Sequence, residues 1–351
     1  MSLLVKGATE LLKLTDTPNS YAGQAGMVLA VNGAEDGTEF IDPPEQATYS
    51  FGSVEAEGFT PSPEEQWDEL DLSRAVPEGA TGAIFHLVNR DPGQELHTGL
   101  RMRGSTLSHA GSMKRSSHTW AIVGLDENRK CEALQENIGW QDFLLVGYVG
   151  RNFCFFADGY NLRPAVHSSW VTVDLSPYVP AGAGGVILEV FNYHDYGVTA
   201  GVRMHGSTDD RRRACYHSWA IVGCDASRRI DVYFVPQGAG GGQYSGIQLI
   251  GYITGGVDFF TDAPEITPTQ DGAYHTIGLL GYKANPILAI IELDSLTSTE
   301  DWALRKNSWA YDVYRDGTSH TFALVHPNTP DSTLQGKLEG SNQHLYLLGI
   351  A

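Results

Sequence analysis

A seven-residue phrase occurs three times in this chain, as HTWAIVG at 118–124, HSWAIVG at 217–223 and HTFALVH at 320–326. Its β-branched and aromatic residues suit a strand with alternate side chains on opposite faces. His118, Trp120 and Ile122 then share one face, and Thr119, Ala121 and Val123 the other. The phrase belongs to a longer repeat. Trp67, Asp71-Leu72-Ser73 and Val76-Pro77 return 103 positions on as Trp170, Asp174-Leu175-Ser176 and Val179-Pro180. GAIFHLVN (82–89) answers to GVILEVFN (185–192), HTGLRMRGST (97–106) to TAGVRMHGST (199–208), and FLLVGYV (143–149) to IQLIGYI (247–253). HTWAIVGLDENRKCE (118–132) answers to HSWAIVGCDASRRID (217–231), and Phe153, Phe155 and Phe156 stand against Phe259 and Phe260. A third copy has diverged, with PILAIIEL (286–293), HTFALVH and the closing HLYLLGIA (344–351) in the matching order. Fixed-period self-similarity of this length marks a duplicated folding unit.

Within a copy the candidate strands are five to eight residues long and bounded by Gly, Pro, Asn or Asp. GLRMRG alternates, as a strand with one wet face does, whereas FLLVGYV is apolar throughout, as a strand covered on both sides is. The expected fold is all-β: a short N-terminal hairpin segment, then three tandem antiparallel β-sandwiches of jelly-roll type, the third diverged. The expected organisation is an attachment and oligomerisation segment at 1–45 and modules at 46–160, 161–262 and 263–351. Helix is confined to short pieces such as Glu64–Glu69. Trp120 and Trp219 are core residues on this reading. His118, His217 and His320 stand at the strand's entry, where an imidazole can satisfy a turn carbonyl.

Composition limits the partners. The 351 residues exceed what one core usually organises, and 42% hydrophobic with 10% aromatic content is ample for several cores. The formal charge is −19, and Arg211, Arg212 and Arg213 directly follow Asp209 and Asp210, so nucleic acid and anionic membrane are poor partners. Forty glycines and sixteen prolines, spread along the chain, supply many turns. Cys131, Cys154, Cys215 and Cys224 form no C-x-x-C pair; Cys215 and Cys224 could bridge two strands, but buried free thiols in a reducing cytoplasm are the expectation. MSLLVKGATELLKL contains no apolar run long enough for a signal peptide or a membrane span, so neither export by that route nor membrane insertion is expected.

Residues 14–42 are of another kind. Thr15 to Ser20 is a turn cluster, Met27–Val31 a short strand, and Asn32-Gly33 with Glu35-Asp36-Gly37 a reversal into Thr38–Ile41. So small a hairpin cannot hold a core and needs another surface. The pattern L-T-D-T-P-x-S-Y-x-G-Q-A-G-x-V-L-x-V-N-x-x-x-x-G-x-E-F resembles a segment of bacteriophage tail-fibre and other virion appendage proteins. Leu14, Asp16, Pro18, Tyr21, Gly26, Val31, Asn32 and Phe40 are among the residues that carry it. The opening W-x-x-x-D-L-S-x-x-V-P-x-G-A also resembles sandwich repeats of such proteins. The resemblance implies a virion protein assembled in the host cytoplasm, docked to other virion proteins through its N-terminus and associated as a homotrimer. It carries over no active site.

No G-x-S-x-G, H-E-x-x-H or Walker loop is present, and Gly238–Gly242 reads as a loop between strands. The carboxylate pairs Glu64-Glu65, Asp68-Glu69-Asp71 and Asp209-Asp210 are unremarkable in so acidic a chain. Asp91, Glu95 and His97, with His194 and Asp195 in the second copy, could line a Ca²⁺ loop, but their spacing fits no named one and a solvated surface is preferred. No catalytic, cofactor-binding or metal residue is therefore assigned. Sugar binding is the main functional competitor. Tyr193, His194, Tyr196 and Tyr244 offer stacking planes beside Asn192, Asp195 and Gln243, the alternative being tyrosines packed at an interface. The expected function is a non-enzymatic tail-fibre or appendage protein that exposes sandwiches, with a host surface glycan as a ligand. Capsid decoration, a head fibre and a carbohydrate-binding array are the alternatives, and a depolymerase would need a carboxylate cluster in a groove.

Overall fold

The computed structural model describes residues 57–351 except 63, 194–196, 237–244, 298–299, 308–314, 317–318 and 329–330, together with two strands near the N-terminus. The chain forms two units, Met1–Thr48 and Tyr49–Ala351. In the first, β1 (Val28–Val31) pairs antiparallel with β2 (Thr38–Ile41), Val28 opposite Ile41 and Val31 opposite Thr38. Val31 and Phe40 lie in these strands; Leu14, Asp16, Pro18, Tyr21, Gly26 and Asn32 lie outside the described residues.

The second unit holds three modules. The first comprises β3 (Glu57–Gly58), β4 (Trp67–Asp71), β5 (Gly82–Asn89), β6 (Leu96–Met102), β7 (Gly111–Met113), β8 (His118–Gly124), β9 (Lys130–Gln135) and β10 (Gln141–Val149). The second comprises β11 (Phe153–Asn161), β12 (Val171–Asp174), β13 (Gly185–Asn192), β14 (Val198–Met204), β15 (Arg213–Cys215), β16 (Ser218–Gly223), β17 (Arg229–Val235) and β18 (Ser245–Ile253). The third comprises β19 (Asp258–Phe259), β20 (Tyr274–Gly278), β21 (Ala289–Ser295), β22 (Asp301–Lys306), β23 (Arg315–Asp316), β24 (His320–Val325), β25 (Thr333–Leu338) and β26 (Gln343–Ile350). The first module has sheets β3-β10-β5-β8 and β4-β9-β6-β7, and the other two repeat both orders strand for strand. This is the eight-stranded, double Greek-key jelly roll, all antiparallel.

Two expectations change. Glu64–Glu69 is not helical: Glu65 takes a left-handed φ of 54°, and Trp67 to Asp71 pair with β9 instead. The packing of Trp67 against Gly99 and beneath Arg101 wins over local propensity. Phe153–Asn161 pairs with β18, and Asp258–Phe259 with β26, so the change of module falls before Phe153 and before Asp258 rather than at 160 and 262.

The repeated letters are accounted for by structure. The Arg101 guanidinium lies 4.1 Å above the Trp67 ring, Arg203 4.1 Å above Trp170 and Arg305 3.6 Å above Tyr274, which is the diverged tryptophan. Such stacks combine dispersion with cation–π attraction. Asp71 accepts from the Ser73 amide and Asp174 from the Ser176 amide, closing the turn that D-L-S encodes. Asp126 and Asp225 each accept from two amides of the following turn, where Arg129 and Arg228 take φ of 63° and 61°. In β10, β18 and β26 one extra residue, Val146, Ile250 and Leu348 respectively, bulges immediately before a glycine.

The buried apolar residues of all three modules form one continuous core rather than three. Trp120, Trp219 and Phe322 are buried in it. Cys131, Cys215 and Cys224 are buried free thiols, burial pushing Cys215 up to about 12 and Cys224 up to about 11; Cys154 is half-buried.

Candidate functional site at the module interfaces

Strands β8, β16 and β24, the three copies of the repeated phrase, contact one another pairwise. Their first residues close a cycle. His217 Nδ1–H donates to the Thr98 carbonyl of the first module at 2.9 Å. His320 Nδ1–H donates to the Ala200 carbonyl of the second at 3.0 Å. His118 Nε2–H donates to the Trp302 carbonyl of the third at 3.0 Å. Thr98, Ala200 and Trp302 occupy matching positions, so matching histidines bond matching carbonyls at every joint, through Nδ1 at His217 and His320 and through Nε2 at His118, and the three modules form a ring with internal three-fold pseudo-symmetry. The imidazoles do satisfy carbonyls, but those of a neighbouring module and not of a local turn. Within the ring, Thr119 Oγ1 and Thr321 Oγ1 lie 3.0 Å apart.

The second ring nitrogen distinguishes the interfaces. His217 Nε2 meets Glu189 Oε1 at 2.8 Å and His320 Nε2 meets Glu292 Oε1 at 2.6 Å. Both nitrogens of these histidines therefore face oxygen acceptors, one of them a carboxylate. At the matching place in the first module stands His86, whose Nε2 lies 2.8 Å from His118 Nδ1. Because His118 Nε2–H is committed to Trp302, its Nδ1 accepts and His86 Nε2–H donates.

Further pairs complete two of the interfaces. Between modules two and three, Arg211 Nε donates to Glu292 Oε2 at 2.7 Å and Arg213 pairs with Asp294 at 3.1 Å. Burial raises the Glu292 carboxyl, but His320 and Arg211 outweigh it and hold it below the usual carboxylate value. Between modules one and two, His109 stacks on Phe191 with ring centroids 4.0 Å apart, and burial lowers its pKa. A Cβ on Gly111 would come within 2.4 Å of the His217 ring.

Consecutive modules are also clasped through the strand that begins each. Phe155 of β11 lies against Gly82 and Gly124 of the first module, and Phe259 of β19 against Gly185 and Gly223 of the second. Asp158 accepts from Ser105 Oγ at 2.8 Å and the Thr106 amide at 2.7 Å; Asp262 accepts from Ser207 Oγ at 3.0 Å and the Thr208 amide at 2.7 Å. The repeated G-S-T turn is thus the receptor of the next module's aspartate. In the third module Leu288 and His326 stand at the positions of the glycine pair.

Of the proposed sugar-contacting residues, Tyr193 is 48% exposed and stacks on His97 of the neighbouring module, ring centroids 4.0 Å apart. His97 Nε2–H donates to the Tyr193 carbonyl at 3.1 Å and its Nδ1 lies 2.9 Å from Glu136. One face of Tyr193 is thereby taken up by a module contact. His194, Tyr196 and Tyr244 lie outside the described residues. Among the described residues no three His, Cys, Asp or Glu side chains gather as metal ligands. Asp91 instead accepts from the Gly93 and Gln94 amides. The acidic pairs are likewise engaged: Glu69 with Lys130 and Arg103, Asp209 with Arg211, Asp210 with Arg212. A recess between modules one and two, bounded by His109, Phe155 and Glu189, encloses about 30 Å³, room for about one water. The sequence signal for the interfaces was the histidine that opens each repeat, together with the change from His86 to Glu189 and Glu292 at one repeat position.

No protein-family model matches this sequence, and no curated protein matches it. One solved chain to which it is similar comes from a structure entitled an atomic structure of Sulfolobus Turreted Icosahedral Virus. That likeness has 11% identity, covers 93% of this chain and 89% of that one, and has a TM-score of 0.24, a level that carries no argument about function.

Proposed function

We propose that the chain is a non-enzymatic bacteriophage virion protein, a tail-fibre or appendage component held to the particle through residues 1–45 and presenting its jelly-roll ring outward. The observation that supports this most is where the repeated residues lie. The tryptophans, histidines, glycine pairs and G-S-T turns hold strands or modules together, which is the economy of a structural brick rather than of a multiplied active site. The N-terminal resemblance supplies the virion. Homotrimerisation through the N-terminal segment and contact with other virion proteins belong to the same reading, as does a host glycan at the loops around Tyr193. Mass spectrometry of purified particles of the virus that encodes the chain tests the proposal: a copy number of several per particle is expected, and absence from the particle overturns it.

The internal three-fold ring favours a second reading, capsid decoration or a head fibre. A single chain with three near-equivalent modules can match a three-fold position without first forming a trimer. Light scattering separates the two. A trimeric full chain that becomes monomeric on removal of residues 1–48 supports the appendage; monomers in both cases support decoration.

A further inference from the structure

The ring has two kinds of joint. Modules one and two, and modules two and three, are joined by continuous chain, by the Phe155 and Phe259 plugs and by the Asp158 and Asp262 clasps. The third joint, from module three back to module one, has no chain crossing it. Among the described residues its contacts include the His118–Trp302 hydrogen bond, the Thr119–Thr321 hydrogen bond and a cluster of rings. His118 stacks on Trp302 with centroids 4.6 Å apart, Trp120 lies 5.4 Å from Trp302, and His86 stacks on Trp120 at 4.1 Å.

We propose that this seam is an acid-sensitive latch: protonation of the His86–His118 pair releases module three from module one and opens the ring while the other two joints stay closed.

His86 and His118 are 3% and 0% exposed, and their facing nitrogens are 2.8 Å apart with one proton between them. A first added proton puts a charge on fully buried rings, and a second sets two like charges within hydrogen-bond distance. The pair gains water only by breaking the bond to Trp302. On its own sheet His86 faces Leu144 of β10 and Trp120 of β8, neither of which titrates. Across the seam, the charged residues that the described part of the sheet edge carries are Asp301 in β22 and, paired with Trp302 and Asp301, Arg315 and Asp316 of β23. Burial, and then His118, holds His86 well below its ordinary 6.5. A histidine depressed in the closed ring takes up protons on opening, so the latch holds above about pH 6.5 and weakens as pH falls below it. At the joint between modules one and two, burial also lowers His109, but the Glu189 carboxylate 4.0 Å away opposes that shift and stays beside the ring when it is protonated. Glu292, Asp158 and Asp262 all lie below their ordinary values of 4.5, 3.8 and 3.8, so those contacts persist until more acid conditions.

The test uses the full chain in solution, followed by small-angle scattering and tryptophan fluorescence from pH 8 to pH 4. An expanded but still β-rich state is expected at a midpoint between pH 6.5 and pH 4, with red-shifted emission as Trp120 and Trp302 meet water. In H86Q/H118Q the transition should move down by about one pH unit or more. A T119C/T321C disulfide across the seam should abolish the expansion and leave fluorescence near its neutral-pH value. An unchanged radius down to pH 4, an unmoved midpoint in H86Q/H118Q, or expansion that survives the disulfide overturns the proposal. H217Q, at the joint between modules one and two, serves as the control and should leave the midpoint in place.

Discussion

Phe155 belongs to the second module by strand pairing, yet its ring fills the space above Gly82 of the first: a Cβ on Gly82 would come within 2.5 Å of Phe155 Cε2. Gly185 and Phe259 repeat the relationship at 2.4 Å. The glycines are there because an aromatic ring from the next module must approach the sheet closely.

Gly82→Ala should therefore destabilise the ring although the residue is in a strand where alanine is intrinsically no worse. Phe155→Ala, which empties the plug, should cost about 2–4 kcal/mol. Urea unfolding of both variants measures this. Combining them should cost less than the two added together, because each removes the same contact. Simple additivity would show the plug to be unimportant.

Asp158 and Asp262 should shape the acid limb of stability. Hydrogen bonding from Ser105, and from the Thr106 amide, holds Asp158 below its ordinary value; for Asp262 the Thr208 amide leads, followed by Ser207. A carboxylate depressed on folding stabilises above its ordinary 3.8, and that stabilisation disappears as pH falls through the lowered value. In D158N/D262N the unfolding midpoint should fall at pH 7 and vary less between pH 5 and pH 2 than it does in the parent. Thermal unfolding across that range is the check.

Arg211 is buried between Glu292 of the third module and Asp209 of its own, at 2.7 and 2.9 Å. Arg211→Ala should cost about 3 kcal/mol or more, because Glu292 is left buried with only part of its balance. Adding Glu292→Gln should recover some of that loss. Denaturant titration of the single and double variants gives the coupling, and a zero coupling would contradict the pairing.

The ring should unfold as one body. With a core shared by all three modules and each interface closed by buried groups, deletion of residues 1–48 should leave one cooperative transition in calorimetry, with equal calorimetric and van't Hoff enthalpies. Three separate transitions would mean that the modules are independent.

Much of this architecture is legible in the chain itself. The 103-residue repeat, the alternation of strands and turn residues, and the weak third copy give an all-β chain of duplicated sandwiches, and the pairing of β1 with β2 follows from the reversal at Asn32–Gly37. These signals are local: a strand's period and a turn's glycine act over a few residues, so they survive in one dimension. The histidine that opens each repeat was visible as well, but its partner was not. Whether His118 meets a turn carbonyl or Trp302, 184 residues away, depends on how three sandwiches close on one another. The same holds for Phe155 over Gly82, for Asp158 on the G-S-T turn and for Tyr193 against His97. Repetition in the sequence determined the brick. Only the tertiary structure decided that the bricks close into a ring, because the groups that close it come together through shape and burial across modules, with no fixed spacing along the chain.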